Sequence, residues 1–423
     1  MNRYERYKDS GIPWLGEVPE HWDVKRLKFL GDIILGLTYS PENITNEDNG
    51  TLVLRSSNIQ NGKLVFEDNV FVNSDIPQKM ITTEQDILIC SRNGSRSLIG
   101  KCALIEKYGL NQTFGAFMTV YRTPYRKFVY YALNSEIFKS QLGLFLTSTI
   151  NQLTTQVLGN FNIAFPPRDE QTAIANYLDT KLGEIDVLID KQQTLLEKLA
   201  EQRTAVITHA VTKGLNPAAP MKKSGVEWLE DVPAHWDIER LKFIASVNKG
   251  KMPKELISEN FDDFPTYLNM DYLRNGIATH FVVDRTVPVI DENEILLLWD
   301  GANAGEFIKS KKGVISSTIA LIKFQDRIYK NFAWYACLVI ERILRSSTIG
   351  MGIPHVNGEE LKNSPIVLPP PEEQTAIAEY LDQETAKIDR LCETVNQTIG
   401  RLKEYRTALI TQAVTGKIKV TDE

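Results

Sequence analysis

Residues 165–186 read FPPRDEQTAIANYLDTKLGEID, and residues 368–389 read LPPPEEQTAIAEYLDQETAKID. They align at an offset of 203, and the likeness continues to RTAVITHAVT (203–212) against RTALITQAVT (406–415). Upstream, SGIPWLGEVPEHWDVKRLKF (10–29) matches SGVEWLEDVPAHWDIERLKF (224–243) at 13 of 20 positions, now at an offset of 214. Chance does not place two such pairs in one chain, so the sequence is an internal duplication. Asn61-Gly62 still meets Asn275-Gly276 at 214, whereas DILI (86–89) meets EILL (294–297) at 208. Insertions and deletions therefore fall in the middle of each half, where similarity is also poor. Each half reads as a similar lead, a divergent module (30–164 and 244–367) and a similar tail.

Each tail predicts a long helix. Pro166-Pro167 and Pro369 to Pro371 mark the starts, and Asp169, Glu170, Glu372 and Glu373 place negative charge in the first turn, where the helix dipole favours it. The apolar period is near 3.5, and the seam, polar at a few positions, reads Ile174, Leu178, Lys181, Ile185, Leu188, Gln192, Leu195, Leu199, Gln202 and Val206 in the first tail. The second reads Ile377, Leu381, Glu384, Ile388, Leu391, Val395, Thr398, Leu402, Tyr405 and Leu409. Steps of four and three are a coiled-coil seam, and two duplicated helices with matching seams most simply pack on each other. About 45 residues at 1.5 Å each would make rods of roughly 65–70 Å. The Pro- and Gly-rich stretch 213–225 reads as a loop between the halves.

Composition excludes several classes. The chain has 423 residues, 43% apolar and 24% charged, ordinary for a globular protein of two or three domains. No apolar run is long enough to span a bilayer, and residues 1–16 lack the apolar core of a signal peptide, so a cytoplasmic protein without membrane contact is expected. Cys90, Cys102, Cys337 and Cys392 are scattered with no C-x-x-C spacing, which argues against zinc sites and a disulfide framework. His21 and His235 occupy matching places in the leads and read as structural. Nucleotide-binding loops, the G-x-S-x-G elbow and the H-E-x-x-H zinc helix are all absent, and neither Pro-Pro run sits in an Asp/Asn-Pro-Pro-Tyr methyltransferase motif. A chain this long without a catalytic constellation reads as a binding or scaffold subunit.

The net charge of −6 argues against nucleic acid only superficially. The first module carries 11 basic and 11 acidic residues and the second 14 and 15, so the acidity sits on the helices and a local basic face remains open. Both modules mix short strands (Thr51 to Leu54, Ile87 to Cys90, Ile295 to Trp299, Val314 to Phe324) with helical runs (Phe128 to Leu146, Lys330 to Arg345), an α+β class. The loop SRNGSR (91–96) offers Arg92, Asn93, Ser95 and Arg96, types that suit base edges and phosphates. It aligns with 299–303, which supplies Asn303. A second polar run, TINQLTTQ (149–156), offers Asn151, Gln152 and Thr154, and aligns with a stretch carrying His355 and Asn357. Lys309, Lys311 and Lys312 form a basic cluster in the second module.

The EQTAIA-x-YLD starts, the W-L-x-x-V-P-x-H-W-D-x-x-R-L-K-F leads and IPHVNGEELKNSPIVLPPPEEQ (353–374) together resemble the specificity subunit of type I restriction-modification systems, over essentially the whole chain. The first module departs from the pattern, with INQLTTQVLGN in place of IPHVNGEELKN. The resemblance implies an α+β fold of two similar target recognition domains, separated by two long antiparallel coiled-coil helices with pseudo-two-fold symmetry. The expected division is a recognition domain at 1–164 (lead 1–29), a helix at 165–215, a second recognition domain at 216–367 (lead 221–243) and a helix at 368–423. The implied role is to read the two halves of a bipartite, asymmetric double-stranded DNA site, the helices acting as a ruler for the spacer. The subunit would be non-catalytic and bind no cofactor. It would dock two methyltransferase subunits, through Gln171, Ile174, Tyr177, Gln374, Ile377 and Tyr380, and join restriction/translocase subunits. The assembly would use S-adenosylmethionine, ATP and magnesium. A competing reading is a coiled-coil scaffold with two protein-binding modules and no DNA role; another is a nuclease in its own right.

Overall fold

The computed structural model describes residues 3–145, 151–260, 263–284, 286–348 and 354–420. The chain forms two compact units: residues 1–193 with 396–423, and residues 194–395. Both boundaries fall inside long continuous helices, Arg168–Lys213 and Pro371–Val414, so each unit contains part of each helix.

The core of each unit is a four-stranded antiparallel sheet with the same order. In the first unit it runs Asp32–Leu35, Met118–Arg122, Asp86–Cys90, Cys102–Leu104. In the second it runs Ala245–Lys249, Ile319–Phe324, Ile295–Leu298, Phe307–Lys309. Asp86–Cys90 and Ile295–Leu298 are buried at every position because both faces are covered, and all but Asp86 are apolar. Ile87 and Ile89 enter the cluster packed on the long helices, whereas Leu88 and Cys90 enter a second cluster on the opposite face. Ile295 and Leu297 face one core and Leu296 and Leu298 another in the same way. A short parallel pairing completes each module: Thr113–Phe114 on Thr51–Leu54, and Val314–Ile315 on Tyr267–Leu268. Each lead supplies a strand (Asp23–Arg26; Asp237–Arg240) that pairs antiparallel with the strand before the long helix (Asn162–Phe165; Pro365–Leu368).

Three sequence expectations are corrected. The run 314–324 is two strands separated at Ser316 to Thr318, where the chain turns from one sheet into the other. The helix expected over 128–146 is broken at Asn134 and Ser135 into Arg126–Leu133 and Glu136–Phe145; Leu146 lies outside the described residues. The helix seam is shifted. Leu182, Ile189, Leu196 and Arg203 take the inward places expected for Lys181, Leu188, Leu195 and Gln202. On the second helix Thr385, Cys392, Ile399 and Arg406 replace Glu384, Leu391, Thr398 and Tyr405. Leu188, Leu195, Leu391 and Tyr405 are 43–52% exposed. The first turns of each helix pack against a module as well as a helix, so their buried face is wider than a heptad seam and the register advances by one residue.

Within each unit the helix segments run antiparallel. Ile174, Leu178 and Ile185 share a cluster with Leu409, Ile410 and Ala413 in the first, and Ile207, Ala210 and Val211 with Ile377, Ala378 and Leu381 in the second. The same ion pair is made twice with the helices exchanged: Arg406 to Asp186 at 3.4 Å, and Arg203 to Asp389. Among the described residues no helix is long and apolar enough to cross a membrane, and all four cysteines are free thiols.

Candidate nucleic-acid interface

The loop after the central strand and the run before the long helix meet at one backbone slot in each unit. In the first, the N–H groups of Ser91 and Arg92 both donate to the carbonyl of Phe117 at 3.0 Å, and the Leu153 N–H donates to the Ser91 carbonyl at 2.7 Å. In the second, Trp299 and Asp300 donate to the carbonyl of Thr318 at 2.8 and 3.3 Å, and Val356 donates to the Trp299 carbonyl at 2.9 Å. Arg92 thereby sits opposite Gln152, and Asp300 opposite His355. The slot is closed below by a tight crossing. A Cβ on Gly36 would stand 2.0 Å from the Gly115 carbonyl oxygen, and one on Gly250 2.2 Å from that of Ser316, so only glycine lets the chains approach.

In the first unit the slot opens into a cleft of about 1130 Å³. Arg92, Asn93, Asn151 and Gln152 all line it, so the two polar runs singled out in the sequence converge there. The loop is braced: Asn93 Nδ2 donates to Ser56 Oγ at 3.1 Å, the Asn93 side chain accepts from the Ser95 N–H at 2.9 Å, and Asn151 donates to the Gly94 carbonyl at 3.4 Å. The Arg92 guanidinium lies 5.2 Å from the ring centre of Phe117, which is 58% exposed. Arg96 turns away from the cleft and donates to the Gly143 carbonyl at 3.3 Å. Tyr39, Arg55 and Phe117 also line the cleft and were missed in the sequence. Arg55 pairs with Asp68 at 2.8 Å, and its Nε is buried without a partner among the described residues. These residues lie far from the loop in sequence, so no local motif marks them.

In the second unit the slot has different chemistry. The Asp300 carboxylate bonds His355 Nδ1 at 2.6 Å through one oxygen and accepts from Lys249 Nζ at 2.9 Å through the other. Burial alone would raise the Asp300 pKa, but the hydrogen bonds from His355 and Lys249 outweigh it and hold the group below its ordinary value. Lys249 also lies 5.5 Å from the Trp299 ring centre. His355 was anticipated; Asp300 and Lys249 were not.

Other expected contacts are placed elsewhere. Thr154 and Asn357 are helix N-caps: the Thr154 hydroxyl accepts from the Val157 N–H at 3.2 Å, and Asn357 Oδ1 accepts from Glu359 and Glu360 at 3.2 and 3.3 Å. Those oxygens satisfy helix donors that otherwise lack partners. Lys309 pairs in register with Ile295, at the opposite end of the central strand from Asp300, and stands over Trp334 at 5.2 Å. Lys311 is engaged by the Tyr272 carbonyl at 2.9 Å and by the Tyr272 ring. Lys312 is exposed beside them, and Asn303 lies in the turn after Asp300, where its carbonyl accepts from Glu306. The three lysines therefore do not join the slot. Thr149, Ile150, Gly352 and Ile353 lie outside the described residues.

The repeated motifs have a structural account. In EQTAIA-x-YLD the glutamine side chain donates back to a proline carbonyl (Gln171 to Pro166 at 2.8 Å; Gln374 to Pro369 at 2.9 Å). Ile174 and Ile377 are 1% exposed core residues. The final aspartate accepts from a module tyrosine (Asp179 from Tyr131; Asp382 from Tyr335, 2.7 Å). Gln171, Ile174, Gln374 and Ile377 are thus spent on internal packing. Of the six residues expected to meet a partner, only half-buried Tyr177 and exposed Tyr380 present side chains to solvent. The acids of the first turn clamp the leads. Glu170 binds His21 at 2.6 Å, Trp22 Nε1 at 3.0 Å and the Tyr4 hydroxyl at 2.7 Å; Glu373 binds His235 at 2.6 Å and Trp236 Nε1 at 3.0 Å.

Comparison with known proteins agrees with this geometry. The family model for the type I restriction modification DNA specificity domain matches residues 19–197 and 233–401. The type I restriction enzyme MjaVIII specificity subunit of Methanocaldococcus jannaschii is 37% identical over 186 residues, 44% of this chain and 43% of that one. The EcoKI specificity subunit of Escherichia coli is 23% identical over 95% of this chain and 90% of its own length. A chain solved in a study of complex assembly and conformational transition of the type I R-M system superposes with a TM-score of 0.71 at 16% identity, covering 95% of this chain and 99% of that one, and so shares the fold. With two family matches that together span most of its length, each including one braced slot, this chain belongs to the type I restriction modification DNA specificity domain family.

Proposed function

We propose that this chain is a non-catalytic DNA-recognition subunit in which each unit reads one half of a bipartite, asymmetric duplex site. The observation that carries the reading is that one backbone slot recurs in both units with different side chains, Arg92 with Gln152 in one and Asp300 with His355 in the other, while the clamps and helix contacts around it are repeated almost unchanged. Surfaces that repeat suit two copies of one partner, and surfaces that diverge suit two different ligands. The partners are two methyltransferase subunits and, for cleavage, restriction/translocase subunits. S-adenosylmethionine, ATP and magnesium belong to those partners. The leads support equivalent docking, since each exposes a phenylalanine after a buried leucine: Phe29 at 73% and Phe243 at 59%. The spacer role rests on the continuity of the two long helices.

The test is co-expression with the neighbouring methyltransferase and mapping of methylated adenines by long-read sequencing. One asymmetric motif of two short blocks around a fixed gap is expected. DNA binding by the complex that does not weaken steeply with salt would refute DNA reading and favour the scaffold, because phosphate contacts release counterions. DNA cleavage by the purified chain alone would refute the non-catalytic role.

A further inference from the structure

The two slots are one position of the fold, yet they present opposite hydrogen-bonding polarity. We propose that this position selects a base in each half-site: Arg92 selects guanine, and the Asp300–His355 pair selects adenine or cytosine on the strand it faces. The inference rests on the DNA reading proposed above.

Arg92 is exposed and makes no ion pair among the described residues. Its guanidinium is held over Phe117, 5.2 Å from the ring centre, so the fork is oriented while its donors stay free. Guanine presents two major-groove acceptors, O6 and N7, which match a two-pronged donor. Asn151 and Gln152 beside it add amide groups.

In the second slot the Asp300–His355 pair presents acceptors, beside the Lys249 ammonium. An ionised carboxylate can only accept, so the 2.6 Å contact requires the hydrogen on His355 Nδ1. In the neutral imidazole Nε2 is then an acceptor. The carboxylate has about four lone-pair sites and uses one for His355 and one for Lys249, which leaves capacity for a ligand. The only major-groove hydrogen-bond donors on DNA bases are the amino groups of adenine and cytosine. Guanine or thymine at that place on the facing strand would set acceptor against acceptor. Lys249, 45% exposed beside the pair, is left for phosphate or a purine N7.

The experiment uses the whole chain in complex with its methyltransferase partners, with binding and methylation read on a library of randomised duplexes. The wild type is expected to return two blocks. D300N keeps the shape but adds a donor. It should lower discrimination at one position of one block by about five-fold to 150-fold, the ~1–3 kcal/mol of one base contact, and the intact other block shows that the protein is folded. H355Q should relax the same position, and R92Q should relax a guanine in the other block. The complementary probe is a duplex lacking the exocyclic amino group of the relaxed base, purine for adenine or 2-pyrimidinone for cytosine. The wild type should lose affinity for it and D300N should not. Both blocks unchanged in D300N and H355Q, loss spread over both blocks, or an R92Q-sensitive position that is not guanine would overturn the inference while leaving bipartite DNA reading intact. A wild-type complex that selects no sequence would overturn both.

Discussion

Replacing Glu170 by alanine tests the clamp on which the first unit's lead depends. Trp22 is fully buried, so loss of the carboxylate strands its indole N–H, a penalty of about 1–3 kcal/mol. The Tyr4 hydroxyl is partly buried and loses about 0.5–1.5 kcal/mol. The His21 contact is half in solvent and adds about 0–1 kcal/mol. The sum is about 1.5–5.5 kcal/mol for Glu170→Ala. Glu373→Ala lacks the tyrosine contribution and should cost about 1–4 kcal/mol. Denaturant unfolding of the two variants, with Tyr4→Phe, gives the ranking, and Tyr4→Phe should account for the gap between them. The pH dependence has a definite sign. Burial opposes the Glu170 charge, but hydrogen bonds from Tyr4, His21 and Trp22 hold its pKa below the ordinary 4.5. The unfolded chain therefore binds the proton more readily, so the clamp's contribution is complete above pH 4.5 and disappears as pH falls through the lower folded value. Equal costs for the two alanine variants, or a Glu170→Ala deficit that persists undiminished well below that value, would refute the clamp.

Asp86 is fully buried and bonds Arg122 through both oxygens at 2.7 and 2.8 Å, so Asp86→Ala should cost about 3–5 kcal/mol in thermal unfolding by leaving the guanidinium unpaired. Ile174→Ala and Ile377→Ala should each cost about 2–5 kcal/mol as core cavities, whereas Tyr380→Ala should change stability by under about 0.5 kcal/mol and weaken methyltransferase binding in a pull-down titration. Gly36→Ala and Gly250→Ala force a Cβ onto backbone oxygen; each should disturb recognition of one DNA block, seen as partial loss of one half of the methylation motif. Deleting one heptad from each long helix, about 10 Å, should change the preferred spacer and leave both blocks unaltered.

The duplication was readable because it is written in identity: W-L-x-x-V-P-x-H-W and EQTAIA-x-YLD need no structure to be paired. The long helices were readable from their period and proline-marked starts, and the central strands from the uninterrupted apolar runs ILIC (87–90) and ILLLW (295–299). The loop 91–96 and the run around Gln152 were noticed as polar segments, though nothing local says that they touch. Other details resisted the sequence for physical reasons. Exposed Leu188 and Leu391 look like seam residues because apolarity does not reveal which side of a helix a module covers. Thr154 and Asn357 look like ligand-binding side chains because a cap and a base contact use the same oxygen. Glu170 and Glu373 look like dipole acids, and only the position of the lead strand turns them toward Trp22 and Trp236.

The sequence by itself determined that the chain is two copies of one design, with similar leads and helices and divergent modules, because repetition and periodicity are properties of order along the chain. Tertiary structure alone decided that Arg92 meets Gln152 and that Asp300 meets His355 and Lys249. Those pairings span about 50–60 residues, and they depend on where the central strand ends and on the crossing at Gly36 and Gly250. Chemistry that depends on groups converging from distant segments is set by the packing of strands and helices, and no spacing in the sequence encodes it.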